Sequence, residues 1–127
     1  MESRLALDTH IIIWLYSKDF SQFTPKVQKL LHSSELIVSP MVRLELALLY
    51  EIGRVDSPPD MVFRGLQSTL PITVLDLDFA LASKEAENLQ WTRDPFDRLI
   101  VATSQATRIP LLTKDRNILA NFNLAVW

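Results

Sequence analysis

Four acidic side chains, Asp8, Glu45, Asp97 and Asp115, stand where carboxylate chemistry could be assembled. Asp8 follows the apolar run Leu5-Ala6-Leu7, and Asp115 lies two residues past Leu111-Leu112-Thr113. Asp97 lies in the first turn of the helix expected from Asp94-Pro95-Phe96-Asp97-Arg98-Leu99-Ile100-Val101-Ala102. Glu45 has Met41, Val42, Leu48 and Leu49 at helical spacing, which puts it on a face that should be buried. A buried carboxylate is expensive unless it is paired, protonated or bound to a metal. Each acid also has an ordinary reading. Asp8 can be a strand-end acid or a cap, Asp115 a turn residue, and Glu45 the partner of Arg4, Arg43 or Arg98. Asp94 caps its helix, and Asp97 can reach back to it as the acid of a capping box.

Convergence of the four would change their chemistry. At ~5 Å and an effective dielectric of ~20, each like-charge pair costs about 3 kcal/mol, and six pairs set an upper bound on the order of 20 kcal/mol. Such a cluster must protonate or hold cations. A donor set of oxygens, without histidine or cysteine, favours Mg²⁺ or Mn²⁺. Such an ion binds a phosphate oxygen and acidifies a water for in-line attack, and it lets an acidic pocket accept a polyanion.

The elements that position these acids alternate along the chain. Strands are expected at 5–7, 36–38, 72–75, 111–113 and 124–126. Helices are expected at about 10–16, 26–33, 40–52, 61–70, 79–90 and 95–108, with a short helical turn at 116–120. Thr24-Pro25, Ser39-Pro40 and Asp94-Pro95 each place a capping side chain before a proline suited to the first helical position, and Gly53 is a helix stop. Asp76 and Asp78 follow the third strand as loop and cap residues. The alternation predicts an α/β fold of three layers, with a mostly parallel central sheet of four to five strands flanked by helices and right-handed crossovers. In such folds ligands bind outside the carboxyl ends of the strands, where the strand order switches.

Composition narrows the classes. The 127 residues, 48% of them hydrophobic, suit a single domain over 1–127 with a real core. Thirteen basic against 15 acidic residues give a net charge of −2, so nucleic-acid binding requires a local basic patch or a bound metal. The absence of cysteine excludes disulfides and thiolate chemistry and fits a cytoplasmic location. No apolar run reaches the roughly 18 residues that span a bilayer, so no membrane association is expected. Two glycines, Gly53 and Gly65, are too few for a dinucleotide fingerprint or a P-loop. His10 and His32 lack the context of a serine–histidine–acid triad, and His10 reads as a helix-surface residue.

Taken together, Leu7-Asp8-Thr9-His10 with Trp14-Leu15, the Ser39 to Glu45-Leu46 helix, the Asp94 to Ala102 stretch and Leu112-Thr113-Lys114-Asp115 resemble the PIN-domain proteins. They look most like the VapC-type toxins of prokaryotic toxin–antitoxin pairs. The match covers nearly the whole chain in order, and the stretch beginning at Asp94 is its most specific part. The resemblance implies a hydrolase, a metal-dependent endoribonuclease cleaving RNA phosphodiesters with a metal-activated water. It maps the four metal-ligating, catalytic acids onto Asp8, Glu45, Asp97 and Asp115, with Thr113 lining the site; Thr9 and Asp94, beside two of these acids, are further accessory candidates. It also implies a homodimer and an antitoxin, a small DNA-binding protein that covers the acidic groove, commonly with an arginine. Val42 is a departure, because the family often carries a small hydroxyl residue three positions before the glutamate. Arg98, Lys114 and Arg116 are candidates for holding the RNA backbone, or are solvated surface charges.

Two other functions fit an α/β sheet with acids at its carboxyl edge. One is a non-catalytic PIN-like binding module, which gives no reason to keep Glu45 on an apolar face. The other is a phospho-accepting receiver-like signalling domain with Asp76 as acceptor, which gives Glu45 no role.

Overall fold

The computed structural model describes residues 3–127. Its five strands are β1 (Ser3–Leu7), β2 (Ser34–Val38), β3 (Ile72–Val74), β4 (Leu111–Leu112) and β5 (Ala125–Val126). The helices are α1 (Thr9–Ser17), α2 (Pro25–Ser33), α3 (Pro40–Glu51), α4 (Pro59–Gln67), α5 (Phe79–Ala86), α6 (Pro95–Thr107) and α7 (Arg116–Asn121), with a 3-10 turn at Phe20–Gln22. The strands form one sheet in the order β3-β2-β1-β4-β5, and every pairing is parallel. This is the α/β architecture expected from the alternation of strands and helices.

The local signals act as their chemistry demands. Thr24 Oγ1 accepts the Val27 amide at 3.2 Å, and Ser39 Oγ accepts the Met41 amide at 3.2 Å, each just ahead of a proline that lacks a donor to satisfy. Gly53 takes φ +78° immediately past α3, a left-handed conformation that costs glycine little. Two helices stop earlier than the apolar periodicity suggests. After α5 the chain tightens to three-residue bonds, Asn88 N to Glu85 O at 3.3 Å and Leu89 N to Ala86 O at 3.1 Å, which tucks Leu89 into the core. After α4 the Thr69 amide turns back to Leu66 O, and Pro71 prevents the helix from continuing.

Strand β1 sits at the centre of the sheet. Leu5 and Leu7 of β1, Leu36 to Val38 of β2 and Leu111 and Leu112 of β4 are buried, as continuous apolar strands covered on both faces require. Ile11 and Ile12 of α1, Val42 and Leu46 of α3, Ile100 and Val101 of α6 and Ile118 of α7 close the core against them. Because β1 pairs with both β2 and β4, the order of connection switches beside its carboxyl end. Leu7 is in register with Leu112, so Asp8 and Thr113 leave the sheet side by side.

Candidate active site

The carboxyl edge at this switch point receives acids from four elements. Asp8 ends β1 and caps α1, its Oδ1 accepting the Thr9 amide at 2.7 Å. Glu45 stands in the second turn of α3, which starts directly after β2. Helix α6 leads into β4, so its first turn, carrying Asp97, lies at the carboxyl edge. Asp115 caps α7 just past β4, with Oδ1 accepting the Ile118 amide at 3.0 Å.

A run of hydrogen bonds links three of these acids. The Thr9 hydroxyl donates to Glu45 Oε1. Asp8 is next to Thr9 in the chain, and its Oδ2 accepts from Thr113 Oγ1 at 2.8 Å. The same Thr113 oxygen accepts the Asp115 amide at 3.0 Å. Thr113 is fully buried, so its hydroxyl ties Asp8 to Asp115 where no water can replace it.

Asp97 stands within the electrostatic reach of all three of these acids, and among the described residues its carboxyl accepts no side-chain or backbone hydrogen bond. Asp94 caps α6 by accepting the Phe96 amide at 2.8 Å and the Asp97 amide at 3.4 Å. Its own amide donates to Thr92 Oγ1 at 3.3 Å, so the capping box expected as the ordinary role of Asp97 is not formed. The Asp97 carboxyl is raised to about 7, first by burial and then by the charges of Asp94, Asp8, Asp115 and Glu45. A position in the first turn of a helix favours an anion, so the shift runs against the local backbone field. Burial also pushes Glu45 up, with Asp8 and Asp94 adding to it and the Thr9 hydrogen bond opposing.

The candidate cations for neutralising Glu45 are engaged or placed elsewhere. Arg43 pairs with Asp60, Arg98 Nε donates to Thr92 O at 2.7 Å, and Arg4 is exposed in β1, the strand whose far end bears Asp8. Leu48 is itself exposed, so the Glu45 face of α3 is a half-buried margin rather than core.

His10, expected on a helix surface, is instead half-buried between the two loops that carry Asp8 and Asp115. Burial lowers its pKa, with Lys114 adding to that effect and Asp8 and Asp115 opposing it. Its Nε2 accepts the Lys114 amide at 2.9 Å, which leaves the proton on Nδ1, 3.7 Å from Asp8 Oδ2. With the ring neutral, that approach is no ion pair. The local sequence carries no signal for this role, because the hydrogen-bonding partner is 104 residues away.

The other acids lie outside the group. Asp78 is exposed and caps α5 through the Ala80 amide at 2.9 Å. Asp76 is exposed beyond β3, an edge strand two places from β1 and its Asp8. Of the three candidate cations, Lys114 and Arg116 are exposed and Arg98 is half-buried.

The donor chemistry fits a hard divalent cation. Every acidic donor is an oxygen, and burial followed by the neighbouring carboxylate charges keeps the Asp97 proton up to about 7. Among the described residues no three Asp, Glu or His side chains are gathered tightly enough to enclose an ion. Bound cation would therefore have to draw the side chains inward.

The PIN domain family model matches residues 5–122 of the chain. No curated protein matches it significantly. The fold is similar to that of a toxin–antitoxin complex from Klebsiella pneumoniae, at 20% identity over 97% of this chain and 96% of that one, with a TM-score of 0.63. It is similar to VapBC2 from Rickettsia felis bound to a DNA fragment from their promoter, at 15% identity over 98% and 97%, with a TM-score of 0.71. VapBC-1 from nontypeable Haemophilus influenzae matches at 19% identity over 98% and 96%, with a TM-score of 0.59. At these identities the likeness is one of fold.

Proposed function

Because the chain belongs to the PIN domain family, we propose that it is an Mg²⁺- or Mn²⁺-dependent endoribonuclease, a VapC-like toxin acting in the cytoplasm as one PIN-like domain over residues 1–127. The observation that carries the reading is the gathering of Glu45, Asp8 and Asp115 through Thr9 and Thr113, with Asp97 opposite them and its proton held to about 7 by burial and their charge. Asp8, Glu45, Asp97 and Asp115 would hold the metal. When bound, the ion would supply positive charge to a phosphate oxygen and acidify a water.

The residues of the chain do the rest. Thr113 orients Asp8 and Asp115, Thr9 keeps one Glu45 oxygen oriented, and Asp94 fixes the start of α6 from which Asp97 projects. Oδ1 of Asp8 and of Asp115 is committed to a helix cap, so each carboxylate presents its second oxygen in a fixed direction. Arg98, Lys114 and Arg116 line the margin available to the RNA backbone.

Two partners belong to this reading. An antitoxin would cover the acidic groove with a basic side chain, in keeping with the toxin–antitoxin complexes among the structural neighbours. A second copy would cover the stripe of Leu44 and Leu48 on α3 and Ile52 just past its end, exposed by 50%, 40% and 66% at a spacing of four residues.

The deciding experiment is cleavage of a mixed-sequence RNA with Mg²⁺ or Mn²⁺, with and without chelator, by the wild type and by Asp97→Asn. Metal-dependent cleavage that Asp97→Asn abolishes is the expected result. Cleavage that persists at the wild-type rate in folded Asp97→Asn would overturn the assignment of the site.

A further inference from the structure

Beside the acids stands a box of aromatic rings closed by one ammonium. Trp14 of α1, Phe23 and Trp127, which follows β5, pack edge to face or tilted, with ring centres 6.1–6.2 Å apart. Phe20 extends the group, 6.3 Å from Phe23, and is 51% exposed. Lys114 Nζ lies 5.5 Å from the Trp127 ring centre and 6.0 Å from that of Trp14, and it donates to Gln22 Oε1 at 3.3 Å. Lys26 Nζ approaches the same rim, donating to Trp127 O at 3.3 Å. The box is continuous with the candidate active site. His10 packs on Trp14 at 4.9 Å and accepts the Lys114 amide, and Lys114 directly precedes Asp115.

From this geometry we infer that the box is a nucleotide subsite for the single-stranded RNA substrate, holding one backbone phosphate on Lys114 and one unstacked base on its aromatic wall, at Trp127, with Phe20 joined to that wall through Phe23. The inference rests on the ribonuclease reading and adds where the strand is gripped. An ammonium has three donors, and among the described residues a single protein oxygen, Gln22 Oε1, accepts from it. The indoles fix its position while leaving the charge able to receive an anion. Arg98 is less available, since its Nε is spent on Thr92 O. A ring platform beside a lysine is the combination that grips a single strand without reading its sequence, because every base offers a π-face and every nucleotide a phosphate. A fixed cation next to Asp115 also offsets the repulsion that four acids exert on an incoming polyanion.

The test is equilibrium binding of oligouridylate and of inorganic polyphosphate to the full chain in Ca²⁺, followed by intrinsic tryptophan fluorescence over a series of salt concentrations. The oligonucleotide is recovered afterwards to check that it is intact. Lys114→Gln, an exposed change, is expected to weaken both probes and to lower the slope of log K against log salt by about 0.7, the contribution of one single-strand phosphate contact. Trp127→Ala is expected to weaken oligouridylate about fivefold to a hundredfold while leaving polyphosphate within twofold. Phe20→Ala, at a half-exposed position that cannot unfold the core, should reproduce the same selectivity in weaker form. An unchanged salt slope in Lys114→Gln overturns the phosphate contact and the proposal with it. Equal effects of Trp127→Ala and Phe20→Ala on both probes overturn the stacking site. Unchanged RNA binding in all three variants overturns the proposal and leaves the box to a protein partner. Selective binding by a protein that cleaves no RNA with Mg²⁺ would leave the subsite standing and remove the ribonuclease reading.

Discussion

Replacing Asp97 by asparagine separates the cluster from a simple helix terminus without reference to activity. In the metal-free protein the Asp97 carboxyl titrates near 7, chiefly because burial and then Asp94, Asp8, Asp115 and Glu45 disfavour its charge. In the unfolded chain it titrates near ~3.9. The folded state therefore binds the extra proton between about pH 4 and 7, and the stabilisation from the neutral group is complete below ~4 and lost as pH rises through about 7. A shift of about three units corresponds to about 4 kcal/mol before screening. Asp97 is only half-buried, so solvent reduces this to about 1–2 kcal/mol. Asp97→Asn keeps the shape and removes the charge. Thermal melts of both proteins in chelator, from pH 5 to 8.5, should show the variant close to wild type at the acid end. By pH 8 it should be about 1–2 kcal/mol more stable, or about 3–8 °C in Tm. A helix-terminus acid predicts the opposite sign, a loss of about 0.3–1 kcal/mol at neutral pH. A variant less stable than wild type at pH 8, or a difference that does not grow with pH, would refute the electrostatic argument.

Further outcomes follow from the same contacts. Mg²⁺ should raise the Tm of the wild type in proportion to the logarithm of its concentration above Kd, more strongly at pH 8 than at pH 5.5, and this increment should collapse in Asp97→Asn; an equal increment in both proteins would place the metal elsewhere. Thr113→Val should cost about 2–4 kcal/mol in urea unfolding, because it strips the buried hydroxyl from both Asp8 Oδ2 and the Asp115 amide, whereas Thr113→Ser should cost less than half as much. Leu48→Glu, together with Leu44→Glu, should shift sedimentation to the monomer if the α3 stripe is the self-association face, with little change in melting of the monomer. Arg108→Gly should be neutral to stabilising by up to about 1 kcal/mol, since Arg108 ends α6 at φ 56°, where glycine is unstrained.

Local chemistry was legible in the sequence because its causes are local. Thr24-Pro25, Ser39-Pro40 and Asp94-Pro95 start helices by hydrogen bonds that span two or three residues. The alternation of apolar strands with amphipathic helices leaves a covered parallel sheet as the way to bury both. Glu45 was conspicuous for the same reason, as a charge among apolar neighbours at helical spacing, although its face proved a margin rather than core. Tertiary structure alone decided how these pieces meet. Only the placement of β1 between β2 and β4 sets Asp8 beside Thr113, 105 positions later in the chain. His10 became a brace to Lys114, and Trp14 and Trp127 became walls of one box, through contacts that no window of sequence contains. The proton on Asp97 belongs to the same class. Desolvation and Coulomb repulsion depend on where distant charges stop in space, and the order of residues leaves that distance open until the sheet has closed.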